Sequence, residues 1–116
     1  MAELGGRDAA TVSLERALSL LADPVRRHAL AVVRDRETVT LRELSWAVTS
    51  RATGTVRLTD GRSALDRYRI RLHHVHLPKL AAAGLVTYDT DRRTVELAAE
   101  PSAVTHLLAD VSDGTG

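Results

Sequence analysis

Leu72-His73-His74-Val75-His76-Leu77-Pro78-Lys79-Leu80-Ala81-Ala82-Ala83-Gly84-Leu85-Val86-Thr87-Tyr88 is the stretch that decides the fold. It opens with helical spacing and closes as a strand. Gly84 follows Leu80-Ala81-Ala82-Ala83, where a left-handed helix cap is wanted. Leu85-Val86-Thr87-Tyr88 and Thr94-Val95-Glu96-Leu97 are strand-like runs, and the polar segment Asp89-Thr90-Asp91-Arg92-Arg93 between them is a turn. A helix running straight into a β-hairpin with arginines near its tip is therefore expected.

Upstream, the helix should begin near Arg62 or Ser63. At about 100° per residue, Leu65, Tyr68, Leu72, Val75 and Lys79 share one side, with His76 and Leu80 beside them. Arg67, Arg71, His74 and Pro78 share the opposite side, and Ile70 and Leu77 form a third, narrower strip. Two apolar strips predict packing against more than one neighbour, with the Arg67/Arg71/His74 face left exposed. Pro78 has no amide hydrogen and deprives the His74 carbonyl of its helical partner, so a kink or a break near Leu77 is expected.

Further upstream, Asp23-Pro24 is a helix start: Asp accepts the free amides of a first turn and Pro suits the first helical position. That helix should reach about Arg34, with Val25, Ala29, Leu30, Val32 and Val33 inward and Arg26 and Arg27 outward. Val39 suggests a short edge strand. Thr40-Leu41-Arg42-Glu43 has capping-box spacing and opens a helix with Leu41, Leu44, Ala47 and Val48 on one face. Trp46 lies off that face and is expected to close the edge of the core. Residues 49–61 show no period and are expected to form a loop, with Val56-Arg57-Leu58 extended.

At the two ends, Ser13 precedes the stripe Leu14, Ala17, Leu18, Leu21, and Pro101 opens a segment striped with Val104, Leu107, Leu108 and Val111. Both read as amphipathic helices whose stripes cap the core or pair with a second copy. The expected domain is 13–112, between a polar tail at 1–12 and a frayed end at 113–116.

Composition narrows the function. At 116 residues one domain is expected. There is no cysteine, which removes disulfides, thiolate metal sites and cysteine nucleophiles. No apolar run approaches the ~18 residues of a membrane span, and the N-terminus lacks the pattern of a secretion signal, so a cytoplasmic protein is expected. Net charge is only +1, but charge is unevenly placed: Arg57, Arg62, Arg67, Arg69 and Arg71 face only Asp60 and Asp66 in that segment. Lys79 is the one lysine, a bias that arginine-rich codon usage explains without any function.

The order helix, helix, short strand, helix, long helix, hairpin, helix is that of an α+β winged helix-turn-helix. His76 to Val86 resembles the end of the recognition helix and the start of the wing in arsenic-repressor-like (ArsR) regulators, and Leu20 to Arg27 resembles their opening. The string Leu72 to Leu80, with Ala83-Gly84, Tyr88-Asp89 and Asp23-Pro24 before arginine, is similar to a set of uncharacterised haloarchaeal winged-helix proteins. The resemblance covers roughly residues 14–98. It implies a homodimeric transcription regulator bound to double-stranded DNA, with Leu14, Leu18, Leu21, Val104, Leu107, Leu108 and Val111 as candidate dimer contacts. The chain departs from the ArsR metal sensors in lacking cysteine, and from haloarchaeal cytosolic proteins in lacking their strong acidity.

A groove-reading helix needs exposed donors. Arg67, Arg71 and His74 fit contacts to base edges, and Arg42, Arg62, Arg92 and Arg93 fit contacts to the backbone or through the wing. An ordinary solvated face accounts for the same arginines equally well. His73, His74 and His76 invite a metal, but only His73 and His76 approach one helix face and no cysteine joins them; hydrogen-bonded rings at the core edge are the expectation, with no metal and no cofactor. No phosphate loop or nucleophile motif is present, and Asp89 and Asp91 suit a turn, so no enzyme is expected. The rival reading is a winged helix that docks a protein and not DNA.

Overall fold

The computed structural model describes residues 14–53 and 60–115, and side chains within those spans except at 53, 60–63 and 112–115. Ser13, the tail at 1–12, Arg57 and the segment Val56-Arg57-Leu58 lie outside the described residues. Residues 14–20 form helix α1, followed by α2 (Pro24–Arg36), β1 (Thr38–Thr40), α3 (Leu41–Thr53), α4 (Asp60–Arg71), a π-helical turn (Leu72–His76), α5 (Leu77–Ala82), β2 (Val86–Asp89), β3 (Thr94–Leu97) and α6 (Pro101–Thr115).

The helix starts follow their capping chemistry. Asp23 Oδ1 accepts the Val25 amide at 2.8 Å and Pro24 takes the first helical position of α2. The Thr40 amide donates to Glu43 Oε1 and the Glu43 amide to Thr40 Oγ1, both at 3.0 Å, a closed capping box. Helix α3 then runs on to Thr53, so residues 49–53 are helical where the missing period suggested a loop. Buried Val48 and the Ser45 hydroxyl, which donates to the Leu41 carbonyl at 2.6 Å, belong to the inward side of that helix.

The irregularity expected around Pro78 takes the form of a π turn that ends at His76, where a new α-helix begins. The turn before the proline widens: the Leu77 amide reaches the Leu72 carbonyl, five residues back, and the helix continues to Ala82. A widened turn is a common way to absorb a missing amide. It also changes the phase. Ala64, Leu72, His76 and Leu80 are buried and Tyr68 is half-buried, a spacing of four. On a straight α-helix each step of four overshoots by about 40° and the stripe would spiral away from the core. The wide turn takes part of that rotation back. For the same reason Ile70 and Leu77 do not share a strip: Leu77 is fully buried, whereas Ile70 is 49% exposed, and Lys79 faces outward.

Gly84 ends the helix at φ +79 in a Schellman arrangement. The Leu85 amide donates to the Leu80 carbonyl at 3.1 Å, the Gly84 amide to Ala81 at 3.0 Å, and both leucines are buried. The chain enters β2 directly. Strand β3 pairs antiparallel with β2 (Tyr88↔Val95) and with β1 (Val39↔Val95), giving the order β1-β3-β2. The core is aliphatic: Leu21, Leu30, Val33, Leu44, Val48, Leu72, Leu77, Leu80, Val95 and Val104 are all essentially inaccessible.

Two surface expectations are corrected. Arg26 and Arg27 do not face outward. The side chain of Arg26 donates to the Leu20 carbonyl at 3.3 Å and to His76, and that of Arg27 donates to the Leu21 and Ala22 carbonyls at 3.1 Å. They satisfy the carbonyls left open where α1 ends. Trp46 does not close the core; it stands 46% exposed on α3. Of the stripes on the end helices, Leu21 and Val104 are fully buried and Val111 nearly so within this chain's own core, while Leu18, Leu107 and Leu108 pack partly against it and Leu14 is half-exposed. Helix α6 lies on α2, where Arg34 donates to Thr105 Oγ1 at 3.4 Å.

Candidate nucleic-acid interface

The outward side of α4 and the π turn carries Asp66, Arg67, Ile70, Arg71 and His74, all exposed. Asp66 approaches Arg69 at 3.8 Å, one turn along, so Arg69 is the partly neutralised arginine of this helix. Among the described residues neither Arg67 nor Arg71 has a carboxylate partner. Arg62 lies on the same helix, with its side chain outside the description.

The structure divides the candidate contacts into two groups. Arg67 and Arg71 border a groove of about 310 Å³ whose other lining residues are Asp23, Val25, Tyr68 and His76. His74 belongs with the wing: its ring meets that of His73 edge-on at 4.6 Å, and the His73 ring meets Tyr88 at 5.7 Å. His73 Nδ1 and the Tyr88 hydroxyl are hydrogen-bonded at 2.7 Å, which ties the π turn to β2. Desolvation, then the charges of His74, Arg93 and Arg69, push His73 below its ordinary value. The charge of Arg93 also acts on Tyr88, whose hydroxyl burial pushes upward.

The wing is built by its acids. Asp89 Oδ1 accepts the amides of Asp91 at 3.0 Å and Arg92 at 3.1 Å, and Arg93 takes φ 55 to close the turn, leaving both arginine side chains exposed. The Leu41 amide donates to the Arg93 carbonyl at 2.8 Å. This bond sets the first turn of α3, with exposed Arg42, beside the turn of the hairpin. Arg42 therefore lies close to the hairpin turn that carries Arg92 and Arg93, the His74 ring meets the His73 ring that joins β2, and Arg67 and Arg71 lie on α4.

His76 is 2% exposed, and its Nδ1 accepts from Arg26 Nε at 3.1 Å. Desolvation lowers its proton affinity, assisted by the charges of Arg26, Arg71 and Lys79 against the opposing effect of Asp23. The ring is a neutral core element, as hydrogen-bonded histidines at the core edge were expected to be. His73 and His76 turn to different neighbours, one to the wing and one to α2. Among the described residues no three His, Cys, Asp or Glu side chains gather where a metal ion could be held. Sequence reasoning missed the roles of Tyr88, Asp23 and Arg69 here. The four-residue spacing of buried positions through Pro78 was the available signal for the wide turn that places them.

A three-stranded sheet with two strands as a C-terminal hairpin, a helix–turn–helix packed before it and a long helix leading into the wing define a winged-helix type of domain. The chain belongs to the family described as Domain of unknown function (DUF7344), which matches residues 18–96, from within α1 to β3. No curated protein and no solved structure matches the chain. Among the described residues no helix is long and apolar enough to cross a membrane.

Proposed function

We propose that this domain is a non-catalytic, double-stranded-DNA-binding transcription regulator of ArsR-like type. The observation that carries the reading is the outward face of α4 and the π turn, where Arg67 and Arg71 stand exposed without carboxylate partners among the described residues and His74 follows toward an arginine-bearing wing. Guanidinium forks suit guanine O6 and N7, and a helix of this kind enters the major groove with its wing on the flanking backbone. Arg67, Arg71 and His74 contact bases; Arg42, Arg62, Arg92 and Arg93 hold phosphates. In this reading the protein works in the cytoplasm as a homodimer, and the half-exposed Leu14, with Leu18, Leu107 and Leu108 partly open beside it, supplies what α1 and α6 leave for a second copy. A two-fold dimer matches a palindromic site.

The test is fluorescence anisotropy of labelled duplexes, random and from the gene's own upstream region, across a salt series. Affinity that falls steeply with salt, and falls further for Arg67→Ala and Arg71→Ala, supports the reading. A second reading, docking of a protein partner, is favoured by exposed Ile70 and Trp46, apolar groups that a phosphate backbone does not need. Absence of binding to either duplex at low salt from a folded protein transfers the assignment to it.

A further inference from the structure

We propose that the groove between α4 and the start of α2 binds a small organic anion, its charged group on Arg67 and Arg71 and its apolar part on Val25 and Tyr68. Four features of the lining converge on that ligand. Arg67 and Arg71 are spaced i, i+4, one turn apart on the same helix face, so two guanidinium forks can close on a single carboxylate or phosphate. Neither spends its charge on a carboxylate among the described residues.

His76 supplies the second, independent feature. It is 98% withdrawn from solvent, yet its ring lines the groove. Nδ1 is fixed as an acceptor by the Arg26 Nε–H, so the neutral ring carries its hydrogen on Nε2, which has no hydrogen-bond partner among the described residues. That N–H is free to donate to a ligand oxygen in the groove. The recessed position also selects the ligand: a phosphate on a stiff duplex stays at the protein surface, whereas a small molecule can enter.

Among the described residues Asp23 is the one acid of the lining, and it is already committed. It accepts the Val25 amide at 2.8 Å and stands 4.0 Å from the Arg26 guanidinium, which offsets its charge toward an incoming anion. Val25 and Tyr68 give a partly buried apolar wall. The groove volume of about 310 Å³ is at the small end for ligand sites, the scale of an aromatic or branched acid. Because the same arginines are assigned to bases above, an occupied groove withdraws them from DNA; this link alone rests on the DNA reading.

The site is tested without DNA by NMR titration of the full chain with benzoate, its neutral isostere benzamide, and inorganic phosphate, following the Tyr68 and His76 ring signals and the arginine Nε–H signals. Saturable shifts with benzoate up to about 30 mM, weaker shifts with phosphate and none with benzamide are expected, with affinity at least about tenfold lower in the Arg67→Gln/Arg71→Gln double variant. Both positions are exposed, so the variant keeps the fold, which thermal melting verifies. No saturable shift, equal shifts with benzamide, or an unchanged affinity in the double variant overturns the proposal. In a second arm, saturating benzoate should weaken duplex binding of the unmodified protein. An unchanged duplex affinity overturns the competition, while absence of duplex binding refutes the DNA reading and leaves the groove result standing.

Discussion

The two sides of the long helix are made of the same few residue types and behave oppositely. Inward, Leu72, His76, Leu77 and Leu80 are buried, and Arg26, which reaches in beside His76, is bonded to backbone and ring. Outward, Arg67, Arg71 and His74 are open, and so is Ile70, which costs the fold nothing only because no core lies above it. One histidine of the triplet is structural and another faces solvent, although they are two residues apart. Side-chain identity decided little; phase along the helix decided nearly everything, and the phase was reset by one wide turn ahead of a proline.

The sharpest break of that comparison is Leu72→Ala. Removing a fully buried leucine at the start of the π turn should cost about 3 kcal/mol in urea unfolding. A loss under about 1 kcal/mol would mean that the inward side is loosely packed. Arg71→Ala should do the reverse: stability unchanged within about 0.5 kcal/mol, duplex affinity reduced by about 2 kcal/mol, and a shallower salt dependence. An arginine variant that melts early without touching affinity would erase the division between the sides.

Gly84→Ala probes the boundary where the helix leaves its register. A Cβ there meets no atom within 4 Å, so the penalty is that of the left-handed backbone alone, about 1–2 kcal/mol, read as a lower Tm. Gly84→Asn should recover part of it. Tyr88→Phe removes the hydroxyl held by His73 and should cost about 1 kcal/mol while loosening the wing, visible as faster amide exchange in β2.

The gentlest expected effect is on pH. His28, His73 and His76 all hold their protons less tightly in the folded state, each first through desolvation. The unfolded chain therefore binds more protons just below the ordinary histidine range. Stability is complete above about pH 6.5 and declines as pH falls further. Protonation of His76 would also set a second hydrogen against the Arg26 Nε–H. Melting curves from pH 7 to 5 should slope downward, and His76→Gln should flatten that slope more than His74→Gln, since His76 is buried and His74 exposed.

Much of this arrangement was legible in the residues. Asp23-Pro24, the Thr40/Glu43 box, Gly84 and the hairpin acids each act within a few positions of themselves, and each appears where its local chemistry requires. The failures involve partners distant in sequence. Arg26 reads as a surface residue until the end of α1 and His76, fifty residues away, offer it acceptors. Trp46 reads as core until the aliphatic residues prove sufficient without it. The groove beside α4 was invisible, because Asp23 and His76 meet only through the packing of α2 against the long helix.

The pairing of β1 with β3 has a consequence for how the chain acquires its shape. Thr38 to Thr40 find partners only at Thr94 to Glu96, whereas β2 and β3 meet across a four-residue turn. The hairpin closes a short loop and the edge strand a long one, so entropy favours the hairpin first and the edge strand last. A nascent chain that has emerged only as far as α5 carries an orphan strand between two finished helices. The wing, whatever it touches, is thus also the piece that completes the sheet, and folding ends where the arginines of its tip come to rest beside α3.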